Sequence, residues 1–146
     1  MHPILVLHGP NLNLLGKREP EFYGSLSLEE IDRNLITVGQ ELGLDVRTFQ
    51  ANGEGQLIDA VQQSTDWAAG IVFNPAGYTH TSVALRDAVA AIHLPVIEVH
   101  LSNIYAREEF RNRSLIAPVC AGSISGFGWR TYLLGLQALK GILEGE

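Results

Sequence analysis

The fold class predicted by this chain of 146 residues is α/β: a sheet of parallel strands with helices on both faces. Two observations lead to it. Short runs of Val, Ile and Leu alternate with longer segments whose apolar residues recur at helical spacing, the pattern of successive βαβ units. The hydrophobic share is 46%, and no linker, low-complexity tract or repeat breaks the pattern. Residues 1–146 therefore read as a single domain, and a domain of this size buries roughly two-thirds of its unfolded surface.

Residues 3–9, PILVLHG, make a first strand closed by Gly-Pro. A loop of about fifteen residues follows, longer than most strand-to-helix connections. Ser27 and Glu30 form a capping box, and Leu28, Ile31, Leu35 and Val38 keep one helix face apolar until Gly43 ends it. LDVRTFQ (44–50) is the second strand. Glu54 to Ser64 is the second helix, with Leu57, Ile58 and Val61 on one face. AGIVFNP (69–75) is the third strand; its helix starts at Thr81 or Ser82 and carries Val83, Leu85, Ala88 and Val89. PVIEVHLS (95–102) is the fourth. After a polar segment, APVCAGSISG (117–126) reads as the fifth strand, and a last helix turns Tyr132, Leu133, Leu136 and Leu139 inward. Right-handed crossovers then give a flavodoxin-like three-layer sandwich with a five-stranded parallel sheet.

Ten Lys and Arg against 16 Asp and Glu give a formal charge of −6, so there is no basic footprint for nucleic acid or an anionic membrane. A small anionic substrate needs a local cluster of arginines instead. The single cysteine, Cys120, allows no internal disulfide and suits a reducing compartment. The early run ILVL is too short, and too poor in flanking cations, for a signal peptide or a spanning helix, so a cytoplasmic location is expected.

Open α/β sheets bind ligands beyond the carboxyl ends of their strands. The polar residues gather there. Asn11, Asn13, Arg18 and Tyr23 follow the first strand, and Asn52 and Glu54 the second; Asn74, Tyr78 and His80 follow the third, and His100, Ser102, Asn103, Arg107 and Arg111 the fourth.

The stretch HGPNLNLLGKREPEFYG (8–24) begins like a phosphate-binding loop. A Walker loop places four residues before Gly-Lys and a Ser or Thr after it. Here six residues separate Gly9 from Gly16-Lys17, and Arg18 stands where the hydroxyl belongs. A flavin phosphate loop is rich in Ser, Thr and Gly; this one is built of Asn and Leu. What remains is a loop long enough to be either a lid or disordered, and Arg18 and Tyr23, five apart, can both reach one point if it folds over the sheet edge.

Each polar residue also has a plain structural use. Tyr23 could pack at a turn, Arg18 could pair with Glu19 or Glu21 in solvent, and His80 could cap the next helix. His100 could be a satisfied strand-end histidine, and Asn11 and Asn74 could be turn residues. What these separate uses do not explain is their joint position on one rim.

GPNLNLLGKREPEFYG, NPAGYTHTSVALRD and IEVHLSNIYAREEFR, in this order over nearly the whole chain, resemble the type II dehydroquinases, the 3-dehydroquinate dehydratases of the shikimate pathway. One departure is Gly53, in QANGEGQ, where the family usually carries histidine. The resemblance implies dehydration of a cyclic β-hydroxy ketone through an enolate. It implies that Tyr23 is the base at C2, with Arg18 as its electrostatic partner, and that His100, oriented by Glu98, is the acid for the departing C1 hydroxyl. Asn11 would position a water at the enolate oxygen. Asn74, His80, Leu101, Ser102 and Arg111 match substrate contacts, with Arg111 anchoring the carboxylate. Asp87 corresponds to a residue lent to a neighbouring subunit, and the family assembles as a dodecamer, a tetramer of trimers. No cofactor and no metal are implied.

The chemistry is coherent on its own terms. A phenol ionises near pH ~10, so a phenolate base near neutrality needs ~3 to 4 kcal/mol of preference for the charged form, which an adjacent guanidinium supplies in large part. Imine catalysis is poorly served by Lys17 and Lys140, neither in an apolar setting, and His2, His8, His80, His93 and His100 show no metal-ligand spacing. The competing class is a flavin- or phosphate-binding module without catalysis. A receiver version of it would show paired acidic residues after the first strand, where this chain has His-Gly-Pro-Asn.

Overall fold

The computed structural model describes residues 1–17 and 19–146, with Phe22 described by its backbone alone. The described residues form five parallel strands, β1 (His2–His8), β2 (Leu44–Gln50), β3 (Gly70–Asn74), β4 (Val96–His100) and β5 (Gly122–Ser125), in the order β2-β1-β3-β4-β5. Order and direction follow from the crossovers, which carry the chain first to one side of β1 and then stepwise to the other.

Helices α2 (Leu28–Glu41) and α5 (Arg130–Leu143) cover one face, and α3 (Glu54–Ser64) and α4 (Val83–Ala91) the other. Alternation along β1 serves both cores: Ile4 and Val6 join Ile31 and Leu35 of α2 and Leu136 of α5, while Leu5 and Leu7 pack with Leu57, Val61 and Leu85. Continuous apolar runs in β1 and β3 are what burial on both faces demands.

The caps match the sequence. Ser27 Oγ accepts from Glu30 N at 3.2 Å while Glu30 Oε1 accepts from Ser27 N at 3.4 Å, so the capping box starts α2. Ser82, rather than Thr81, caps α4, its Oγ accepting from Leu85 N at 2.9 Å. The fifth strand departs from expectation. Ala117–Val119 is a 3₁₀ turn and pairing begins only at Gly122. Pro118 has no N–H to give a ladder, and Ser114 Oγ accepts from both Ile116 N and Ala117 N, which bends the segment into a turn.

The loop after β1 is more ordered than a plain connection. It contains a 3₁₀ turn, Leu12–Leu14, and a short helix, α1 (Pro20–Tyr23). Leu12 and Leu15 are buried in the α2–α5 core, which pins the loop and turns its asparagines outward. Gly9 permits the crossing at its start: a Cβ there would lie 2.6 Å from Pro75 O, so only glycine lets the loop pass β3 and donate Gly9 N–H to Asn74 O at 2.7 Å.

Candidate active site

The carboxyl ends of β1, β3 and β4 open into one cleft. Asn11, Tyr23, Asn74, His80, His100, Leu101, Ser102 and Arg111 line it together with Arg107. Eight residues expected from the sequence thus converge. Glu98 lies just behind the wall, and Asp87 lies on α4 away from this cleft. Arg18 lies outside the described residues.

Each wall has a local cause. Asn11 holds a left-handed backbone (φ 69°), which asparagine tolerates, and donates its N–H to Asn52 Oδ1 at 3.0 Å. Asn52 also accepts from Gln50 Nε2 at 3.0 Å through the same oxygen, and its carbonyl accepts from Tyr78 O–H at 2.8 Å, so Asn52 and Tyr78 brace the rim. Glu54 is bonded to the Ser82 hydroxyl, tying α3 to α4. Asn103 Oδ1 caps the next 3₁₀ turn by accepting from Tyr105 N at 3.1 Å. Asn52, Glu54, Tyr78 and Asn103 thus have structural uses on the rim. Gly53 gives α3 an extended backbone N-cap, and its N–H donates to Gln56 Oε1 at 3.3 Å.

Tyr23 and Arg107 meet at one corner of the cleft. Arg107 Nη1 donates to the Tyr23 hydroxyl at 2.8 Å and its guanidinium carbon lies 5.2 Å from the ring centre. Only 6% of the Arg107 side chain is exposed, and Ser102 Oγ accepts from it at 3.4 Å. Sequence reasoning places Arg107 on the rim without a role; the structure puts its charge on the tyrosine. Arg111, also in the cleft, donates from Nε to Glu108 Oε2 at 2.8 Å, leaving the rest of its fork for an anion.

His100, 7% exposed, also lines the cleft, with Nε2 at 2.7 Å from Glu98 Oε2 and 3.2 Å from Thr79 Oγ1. Thr79 Oγ1 and Ser114 Oγ each donate to Glu98 as well, at 2.7 Å and 2.8 Å. Burial alone would raise the Glu98 pKa. The His100, Thr79 and Ser114 hydrogen bonds outweigh it and hold the carboxyl below its ordinary value of 4.5. A buried, ionised carboxylate therefore faces Nε2 and fixes the proton there, while Nδ1 bonds to none of the described residues.

A folded pKa below the ordinary value means that Glu98 stabilises the fold fully above about pH 4.5, and that this contribution is lost as pH falls through the lower folded value. Denaturant unfolding between pH 6 and 3 should therefore show wild type losing stability more steeply below pH ~4.5 than Glu98→Gln, which has no carboxyl to titrate. Parallel curves for the two proteins would contradict the assignment.

His80 Nδ1 lies 2.8 Å from Arg113 O, so Nδ1 carries the proton. Burial is the main reason its pKa falls below 6.5, with the positive charge of His100 and Arg111 adding to it against that carbonyl. A neutral ring results near pH 7, with Nε2 as an acceptor for a substrate hydroxyl. Its ring stacks toward His100 at 6.5 Å between centres. Cys120 is no nucleophile, because burial pushes its thiol up to about 12. The described residues contain no group of three or more His, Cys, Asp or Glu placed to hold a metal, and no helix among them is long and apolar enough to cross a membrane.

A flavodoxin-like domain whose cleft gathers a tyrosine bonded to a guanidinium, a carboxylate-backed histidine and a further arginine has the groups that acid–base chemistry on a small anion requires. A family model described as Dehydroquinase class II matches residues 2–140. A 3-dehydroquinate dehydratase of Desulforudis audaxviator is 60% identical over 92% of this chain and 90% of its own length. One of Synechocystis sp. is 59% identical, over 98% and 94%. The crystal structure of a type II dehydroquinase from Propionibacterium acnes superposes with a TM-score of 0.93 at 42% identity, covering 96% of this chain and 97% of that one. The chain belongs to the class II dehydroquinase family.

Proposed function

We propose that residues 1–146 act as one catalytic domain that converts 3-dehydroquinate to 3-dehydroshikimate and water. The observation that carries this is the pairing across one cleft of Tyr23, held at 2.8 Å by Arg107, with His100, held at 2.7 Å by buried Glu98. Tyr23, its oxygen held by the Arg107 guanidinium, takes the C2 proton. The C–H electron pair moves into an enolate, whose oxygen is met by a water on Asn11. The enolate then re-forms the ketone and the C1–C2 double bond, expelling the C1 hydroxyl as water with a proton from His100. Arg18 is assigned beside Tyr23 by the family resemblance, and Arg107 joins it on geometry. Arg111 anchors the carboxylate, while Asn74, His80, Leu101 and Ser102 position the ring. The step balances with no cofactor, no metal and no imine.

Mixing pure protein with 3-dehydroquinate should produce enone absorbance, at a rate unchanged by chelator or by borohydride added with substrate. No absorbance, or loss under either treatment with the fold intact, overturns the proposal. A flavin spectrum without turnover would favour the binding module instead. The finer setting we propose is the shikimate pathway of aromatic amino acid biosynthesis, leading to chorismate, in the cytoplasm. The proposed assembly is a dodecamer made as a tetramer of trimers, with Asp87 reaching a neighbour's cleft. Asp87→Ala should then impair turnover in an intact oligomer, and a fully active monomer by light scattering would contradict that.

A further inference from the structure

Behind the cleft runs a buried line of side chains that the proposed chemistry leaves unused beyond its first member: Asn74, Tyr132, His8 and Asp32. Its polarity is determined from one end to the other. Ala76 N–H can only donate, so the Asn74 atom 3.0 Å from it is Oδ1. Nδ2 therefore faces Tyr132 and donates to its hydroxyl at 3.0 Å. The hydroxyl in turn directs its own proton to His8 Nδ1, 2.7 Å away. Burial pushes the Tyr132 phenol up, so that proton stays in place. His8 Nδ1 is then the accepting nitrogen, and Nε2 carries the ring proton and donates to Asp32 Oδ1 at 2.8 Å.

The line crosses the domain. His8 and Asn74 are register partners across β1 and β3, Tyr132 comes from α5 and Asp32 from α2. His8 and Tyr132 are fully buried and Asn74 is 2% exposed, whereas the Asp32 side chain is 23% exposed. Of the four, Asn74 alone lines the cleft. An amide without such anchors can rotate by half a turn and present a carbonyl where a donor stood. A buried polar network with every member satisfied removes that freedom.

We infer that Tyr132, His8 and Asp32 are positioning residues that lock the Asn74 amide, so that the N–H not given to Tyr132 is offered to an oxygen of the bound substrate. The inference rests on the dehydratase reading for its substrate, and on geometry alone for its polarity. Asp32, in the helix layer and outside the cleft, thereby acts on binding through three intermediates.

Steady-state kinetics with 3-dehydroquinate test it in wild type, Asp32→Ala, Asp32→Asn, Tyr132→Phe, Asn74→Ala and the Asp32→Ala/Asn74→Ala double variant. Losing one well-oriented hydrogen bond to the ground state should raise KM about threefold to tenfold and leave kcat within about twofold, in both Asp32→Ala and Tyr132→Phe. Asp32→Asn still offers an oxygen to His8 Nε2–H and should stay near wild type. With Asn74 already truncated, Asp32→Ala should add nothing, because the relay has nothing left to hold. An unchanged KM in folded Asp32→Ala and Tyr132→Phe overturns the inference, as does an equal KM increase from Asp32→Ala with and without Asn74. Nitrogen NMR of His8 tests the polarity independently of turnover. A proton on Nε2 and a bare Nδ1 are expected, and the opposite tautomer overturns the polarity. Wild type inert toward 3-dehydroquinate defeats the dehydratase reading, and the His8 tautomer then decides the relay.

Discussion

Tyr23→Phe is expected to lower kcat by ~10²- to 10⁴-fold, the range for removing a positioned proton-transfer group, while substrate affinity and thermal stability stay close to wild type. The substitution removes one oxygen and keeps the ring under the guanidinium. Arg107→Met should be the informative companion. An opposite charge within hydrogen-bonding distance favours an ionised neighbour by about tenfold to a thousandfold, so near pH 7 its loss should depress kcat/KM by a comparable factor. Arg107→Lys should fall between, since an ammonium keeps the charge and loses the fork that spans Tyr23 and Ser102. Single-turnover kinetics separates the chemical step from release. A Tyr23→Phe protein whose chemical step runs at the wild-type rate would remove Tyr23 from the reaction.

His100→Ala should cost ~10²- to 10⁴-fold in kcat, with KM changed much less. The reason lies in what the two ring nitrogens do. Nε2 is committed to the Glu98 carboxylate and Thr79, so any proton handed to the leaving hydroxyl comes from Nδ1. Glu98→Gln keeps a hydrogen-bonding group beside Nε2 but withdraws the negative charge that stabilises the imidazolium, and it should lose part of that factor rather than all of it. A substrate analogue with a better leaving group at C1 should recover much of the lost rate in His100→Ala. A His100→Ala protein that turns over like wild type would leave the histidine as a satisfied strand end and nothing more.

Much of this can be read in the sequence, and the failures have physical causes. The capping box at Ser27 and Glu30 and the face of Leu28, Ile31 and Leu35 specify α2 locally, so the expectation and the structure coincide there. The sequence overextends β5 because the run APVCAGSISG is apolar and small enough for a strand, while the turn is imposed by Ser114, which lies before the run. The rim position of the polar residues follows from topology and is legible once the strands are placed. Which arginine meets Tyr23 is not: Arg107 is 84 residues away in the chain, and no spacing rule reports a contact that loops from two crossovers create. Helical spacing presents Tyr132 as one more apolar-face residue of the last helix. Its hydroxyl, and with it the His8 and Asp32 contacts, becomes visible only when three elements meet.

β1 is hydrogen-bonded along both edges, to β2 and to β3, and His8 sits at the last pair on each side. Amide exchange at this strand end therefore requires the sheet itself to open, because no terminal fraying reaches a strand flanked on two sides. The cleft floor at His8 and Asn74 is expected among the slow-exchanging amides of the molecule. Heat or denaturant below the main transition should leave it intact, so activity that depends on that floor should be lost together with the fold rather than ahead of it.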